Sequence, residues 1–229
     1  MSGNRGRRAI DRGEPMSPAD FKAWVSARMS KPETAVPLLE NLSLLEFTGA
    51  KMILRSYNPL SPPHLCEHAM EEVIHGEIVG DAARDLELLI SPDRLAGIRR
   101  VSERSFGDTR RYFKRVRLSG WSEVGRTPDN ERRFNDYYNV ICYLIECRLM
   151  LVFPSIEASD TIESVKAMAR KVISDEKNHL KHVSHPARDL VASAGLRLDR
   201  LMEEEEVFCS QWVEAMDGAI SPARAEALA

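Results

Sequence analysis

The chain has no Cys-x-x-Cys pair; Cys66, Cys142, Cys147 and Cys209 stand apart. That excludes a zinc ribbon, a rubredoxin-type iron site and a dithiol redox motif, and the four read as free thiols. Cys142 and Cys147 fall in an apolar helical stretch, where a cysteine behaves as a small buried hydrophobe. Aromatic residues are scarce at 7%, while Leu, Ala, Glu and Arg recur, a balance that favours amphipathic helices over strands. No apolar run approaches the roughly 18 residues that span a bilayer. Residues 1–18 carry Arg5, Arg7, Arg8 and Arg12 without an apolar segment, so they read as a disordered basic tail and not as a secretion signal. A cytoplasmic location is expected by default. No flavin or NAD fingerprint is visible, and the net charge of −3 points to no particular partner.

What is present is helical patterning. At 229 residues and 43% hydrophobic content, one all-α domain over residues 19–229 is the simplest organisation. The spacing of Leu38, Leu39, Leu42, Leu45, Met52 and Ile53 predicts a helix starting soon after Pro37 and stopping by Asn58-Pro59. A second runs from about His64 to Ile90. A long connection, Ser91 to Pro128, has helical content broken near Gly107, at Ser119-Gly120 and at Gly125. A third main helix runs from about Asp129 to Phe153, a fourth from Asp160 or Thr161 to before Pro186, and a last from about Pro186 to Asp217. The plan is two helical hairpins joined by one crossover.

Each hairpin repeats the same chemistry: a lone glutamate on its first helix and Glu-x-x-His on its second. Glu46 precedes Glu72 with His75, and Glu146 precedes Glu176 with His179, at separations of 26 and 30 residues between the glutamates. Residues three apart on a helix share a face, so each Glu-x-x-His can point both donors into one cavity. With 22 Glu and six His, chance alone supplies such a motif roughly 0.6 times, so the setting matters more than the count. Glu46 follows Leu44-Leu45, and Glu146 lies inside the apolar run from Ile141 to Phe153. A buried glutamate needs a partner, and four converging carboxylates would cost several kcal/mol each without cations. Two divalent metals supply the compensating charge; iron suits the mixed carboxylate and imidazole donors, and manganese or a mixed Mn/Fe pair is also permitted. Surface carboxylates with incidental histidines are the alternative.

Helix heights set a condition. Glu46 and Glu72 lie about 18 and 14 Å from their shared turn. If the third helix stopped at Phe153, Glu146 would lie about 10 Å from its turn and Glu176 about 22 Å. The helix must therefore continue past Pro154 with a kink, or be extended by Ser155 to Ser159.

His68, one turn before Glu72, and Tyr143, one turn before Glu146, are candidates to hydrogen-bond the ligands; an exposed or capping role for His68 and core packing for Tyr143 are the plainer readings. His64, His182 and His185 read as surface residues. Gly49, Gly76 and Gly80 leave space near the motifs, either for a small molecule or for close helix packing. Arg99, Arg100, Arg104, Arg110, Arg111, Lys114, Arg115 and Arg117 make the crossover basic. Arg110, Arg111, Lys114 and Arg115 are candidates to bind an anionic substrate, against a solvated face paired with acids such as Glu203 to Glu206.

With these motifs in place, the stretch from Pro37 to His185 resembles the ferritin-like superfamily of carboxylate-bridged di-iron proteins, whose fold is a four-helix bundle; here it would carry additional helices in the crossover and at the C-terminus. The segment Val172 to Leu180 is similar to the last ligand helix of aldehyde-deformylating oxygenases, rubrerythrins and tRNA-hydroxylating di-iron enzymes. The resemblance implies that Glu46, Glu72, His75, Glu146, Glu176 and His179 hold two iron ions and form the catalytic centre. It also implies that the chain is an oxidoreductase activating dioxygen to oxidise an organic substrate, a monooxygenase for example, with a rubrerythrin-like peroxidase or an iron-storage ferroxidase as alternatives. The implied partners are an external electron donor (ferredoxin or reductase) and an organic substrate, phosphate-bearing or carrier-bound given the basic crossover. Nucleic acid is not expected, though tRNA stays open, as does a homodimer.

Overall fold

A computed structural model describes the backbone of residues 15–57, 63–125 and 130–226. Among these residues every regular element is a helix: α1 (Pro18–Met29), α2 (Pro32–Ser56), α3 (His64–Glu87), α4 (Pro92–Val124), α5 (Asn130–Glu157), α6 (Glu163–Ala194) and α7 (Leu198–Glu226). Most of the basic tail expected over residues 1–18 lies outside the described residues, but its end is ordered: Met16 is buried and its N–H donates to Ser210 Oγ at 2.7 Å. Ser17 then caps α1, accepting from Asp20 N–H at 3.2 Å, with Pro18 at the first helical position.

Helix α2 begins at Pro32 rather than after Pro37, and carries Pro37 inside it. Pro37 stands just beyond the first turn, so its missing N–H removes only one helical bond. The antiparallel α2–α3 hairpin is packed very closely. Ser43 Oγ donates to Gly76 O at 2.7 Å, and a Cβ on Gly76 would stand 2.9 Å from the Phe47 ring. Close packing is thus the role of Gly76, while Gly49 lies beside Glu72, its notional Cβ 3.6 Å from Glu72 Oε2.

The crossover, expected to be broken, is one uninterrupted 33-residue helix, α4. A helical glycine costs only about 1 kcal/mol, and burial of Ile98, Val101, Tyr112, Phe113, Val116 and Val124 along one stripe outweighs it. Gly107 is solvated; Gly120 lets α5 approach closely, and a Cβ there would meet Ile141 Cδ1 of α5 at 2.3 Å and push that side chain aside. Helix α4 packs on α2, α5 and α7.

As the helix heights demanded, α5 continues through Pro154 to Glu157. Glu146 then lies roughly 16 Å from the end of α5 and Glu176 roughly 20 Å from the start of α6, so the two glutamates meet at similar height. Helix α6 does not stop before Pro186 but passes through it to Ala194. Gly195, at φ 64°, ends it, and Leu196 N–H returns to Leu190 O at 3.2 Å. The last helix accordingly starts at Leu198, not Pro186.

One hydrophobic core runs through all seven helices. The hairpins α2–α3 and α5–α6 make the most extensive pairings, and α3 packs against α6. Contrary to the reading of the sequence, one stretch, Arg133–Glu157, is long and apolar enough by composition to cross a membrane, but 72% of its most apolar window is buried inside the protein.

Candidate metal centre

The helix pairing brings Glu46 from α2, Glu72 and His75 from α3, Glu146 from α5, and Glu176 and His179 from α6 into one buried cluster, none more than 4% exposed. His68 of α3 joins them, equally buried. The donor atoms form two sets, Glu46, Glu72, His75 and Glu176 in one and His68, Glu72, Glu146 and His179 in the other, each with all its atoms within 4.8 Å of one another. Glu72 belongs to both.

Every imidazole turns one nitrogen inward and gives the other to an outer partner. His75 Nδ1 lies 3.1 Å from Glu176 Oε1, while its Nε2 lies 3.1 Å from Asp175 Oδ2. His179 Nδ1 lies 2.9 Å from Glu176 Oε2 and 3.4 Å from Glu72 Oε1, with Nε2 2.7 Å from Glu71 Oε2. His68 Nε2 lies 2.8 Å from Glu72 Oε1 and 3.3 Å from Glu146 Oε1, with Nδ1 2.7 Å from the Tyr138 hydroxyl. An outer hydrogen bond fixes the orientation and tautomer of a ligand imidazole, and metal-ligating histidines nearly always have one. The two carboxylate partners are exchanged between hairpins: Asp175 precedes Glu176 on α6 yet serves His75 of α3, and Glu71 precedes Glu72 on α3 yet serves His179 of α6.

The electrostatics divide the four carboxyls into two that resist ionisation and two that the imidazoles hold ionised. Burial, then Glu72 and Glu176, pushes Glu46 well above the carboxylate range. Burial, then Glu176, does the same to Glu146. Burial also opposes ionisation of Glu72, but hydrogen bonds with His179, His68 and Glu46 outweigh it and hold Glu72 low. Glu176 is likewise held low, with burial and Glu72 overcome by Glu146, His179 and His75. Burial would lower His179, but Glu176 and Glu72 raise it to about 11. His75 is raised through Glu176 against the effect of its burial.

Pairing within the protein is nevertheless incomplete. Glu46 Oε1, His75 Nδ1, Glu146 Oε2 and Glu176 Oε1 are buried without a hydrogen bond; His75 Nδ1 and Glu176 Oε1 stand 3.1 Å apart but are not aligned for one, and such atoms are rare in a core. All four belong to residues of the cluster. Four ionised glutamates carry −4 and two divalent cations +4, and the donors are the oxygens and imidazole nitrogens that iron and manganese accept. The residues therefore fit a two-metal group.

The structure gathers the six motif residues in one place, among surroundings that differ from those expected from the sequence. His68 is neither exposed nor a cap. Tyr143 is buried, but the tyrosine that hydrogen-bonds the cluster is Tyr138, through His68. At 100° per residue Tyr138 and Tyr143 lie on opposite flanks of Glu146, and only one flank faces His68. Glu71 and Asp175 were overlooked, although an acid directly before each Glu-x-x-His was visible. His64, His182 and His185 are at the surface. Of the basic residues, Arg110, Arg111 and Lys114 are exposed on α4. Arg115 turns away to cover Phe208, 4.2 Å from Cζ to the ring centre, and bonds Gln211. The acids of α7 do not neutralise this row: Glu204 meets Ser119 and Arg200, and Glu205 meets Arg148. Comparison of the chain with protein-family models, with curated proteins and with solved structures finds no match in any of the three.

Proposed function

We propose that this chain is a ferritin-like, carboxylate-bridged di-iron oxidoreductase that uses dioxygen to oxidise an organic substrate. The supporting observation is a buried cluster of four glutamates and three outward-anchored histidines, four of whose polar atoms make no hydrogen bond within the protein. Glu46, Glu72, His75, Glu146, Glu176 and His179 would hold the ions, and reduced iron would supply the electrons that activate oxygen. Glu72, common to both donor sets, would be within reach of both ions. Asp175 and Glu71 hold His75 and His179 in the tautomer that leaves Nδ1 free for metal. Leu65, Val79 and Val172, buried one helical turn from His68, His75 and Glu176 on the same helices, would keep water from the cluster, which strengthens every charge interaction within it. Electrons would arrive from a separate donor such as a ferredoxin or reductase.

Anaerobic loading with Fe(II), metal analysis and stopped-flow absorbance after mixing with oxygen test the proposal. Two ions per chain and an oxygen-dependent optical transient are expected. Absence of bound metal rejects the centre. Growth of a mineral core on repeated additions of iron and oxygen shows storage, and peroxide turnover with a rubredoxin donor shows a peroxidase.

A further inference from the structure

Resting on the two-metal reading above, we infer that His68 is a seventh ligand, which makes the two ion positions chemically unequal. The first position would have one nitrogen and three carboxylates, from His75, Glu46, Glu72 and Glu176. The second would have two nitrogens and two carboxylates, from His68, His179, Glu72 and Glu146.

Three observations carry this. The first is spacing. Ligand atoms about 2.1 Å from an ion stand roughly 3.0 Å apart at right angles and about 3.4 Å apart at the tetrahedral angle. His68 Nε2 stands 2.8 Å from Glu72 Oε1 and 3.3 Å from Glu146 Oε1; His179 Nδ1 stands 3.4 and 3.8 Å from the same two oxygens. Both imidazoles thus occupy edges of one polyhedron. The second is the shared pattern of anchoring. His68 has the arrangement of His75 and His179, one nitrogen inward and one held from outside. The Tyr138 hydroxyl can accept from Nδ1–H, leaving the Nε2 lone pair inward. The third is an unpaired ligand group: Glu146, whose Oε1 faces both imidazoles, has no hydrogen-bond partner at its other oxygen, Oε2, although the residue is 2% exposed.

The consequence is selectivity. The position richer in nitrogen favours the later and softer divalent ion, whereas three carboxylates suit manganese. His68 is a ligand and Tyr138 is its positioning residue.

Copper(II), used as a probe at one equivalent per chain, loads the position richer in nitrogen, and pulsed electron paramagnetic resonance counts the imidazoles bound to it. Two are expected in the unaltered protein and one in His68→Ala. In parallel, Fe(II) and Mn(II) stoichiometry is measured after anaerobic loading and desalting. The unaltered protein should retain two ions, as should the surface control His64→Ala, while His68→Ala should hold one tightly and the other at least tenfold more weakly. Tyr138→Phe should weaken the same ion without changing the nitrogen count.

A single imidazole on copper in the unaltered protein, or two ions held by His68→Ala with unchanged affinity, overturns the role of His68 and leaves the two-metal reading standing. An unaltered protein that binds no ion overturns both. The nitrogen count in the unaltered protein needs no variant and decides the matter even if His68→Ala fails to fold.

Discussion

Two polar clusters lie within the same hydrophobic core and treat their charges in opposite ways. On the side facing α4 and α7, Arg148 donates from Nε and Nη2 to Glu205 at 2.9 and 2.5 Å, and the Tyr112 hydroxyl donates to the same carboxylate at 2.5 Å. Close by, Asn41 Nδ2 donates to Ser105 Oγ and to Pro37 O, Thr109 donates to Asn41 Oδ1, and Trp212 Nε1 donates to Thr109. None of these side chains has a buried atom left unpaired. The glutamate and histidine cluster, equally buried, leaves four atoms orphaned and pushes two carboxyls far from their ordinary range. The presence or absence of unpaired atoms separates the two clusters more sharply than burial does.

Substitutions should divide the clusters along that line. The largest effect is expected from Glu72→Ala, which removes the carboxylate common to both donor sets. Bound metal should fall from two ions to fewer than one per chain, and oxygen-dependent activity to background, as read by metal analysis and turnover. Glu205→Gln comes next, because it strands the Arg148 charge in the core. It should cost about 3–5 kcal/mol and lower Tm by roughly 10 °C, with metal content unchanged; calorimetry and metal analysis on one sample check both halves.

Metal and pH come third. Glu46, Glu146 and His179 have raised folded-state values, so from pH 4.5 upward the folded metal-free chain binds more protons than the unfolded chain, and its stability falls as pH rises. The His179 contribution is complete below 6.5 and lost on approaching about 11. Below pH 4.5 the depressed values of Glu72 and Glu176 reverse the slope. Thermal unfolding between pH 5 and 9 should show the metal-free protein losing Tm toward alkaline pH. The loaded protein should not, and at ions about 100-fold above Kd it should be at least ~10 °C higher; loading at pH 7 should release protons to an indicator.

Smallest is the stability effect of Glu146→Gln. The amide mimics the protonated acid of the metal-free state, so Tm without metal should move by less than the equivalent of about 1 kcal/mol, while one ion is lost. A Glu146→Gln cost matching that of Glu205→Gln would erase the distinction between the clusters.

Much of the centre was legible in the sequence because ligands on helices obey a period, and carboxylates inside Leu45-Glu46 or Ile141–Phe153 contradict their surroundings unless something binds them. The extent of the helices was harder to see. Pro37, Pro154 and Pro186 look like breaks locally, yet each sits where long apolar stripes on both sides are buried, and the loss of one hydrogen bond is small beside that. Gly107 and Gly120 misled for the same reason, and Gly120 is explained by the approach of Ile141, a contact 21 residues away. Tyr138 was illegible because its partner, His68, lies 70 residues earlier in the chain.

The exchange of anchors between hairpins governs how the centre can form. A fragment ending in α4 would possess Glu46, Glu72 and His75 but lack Asp175, the carboxylate that aims His75; a fragment beginning at α5 would possess Glu146, Glu176 and His179 but lack Glu71. Neither half carries a competent half-site in embryo. If the cluster takes up metal as proposed, capture would have to follow docking of the two hairpins, and ions arriving during synthesis would meet a chain with nowhere to seat them until its C-terminal half has emerged.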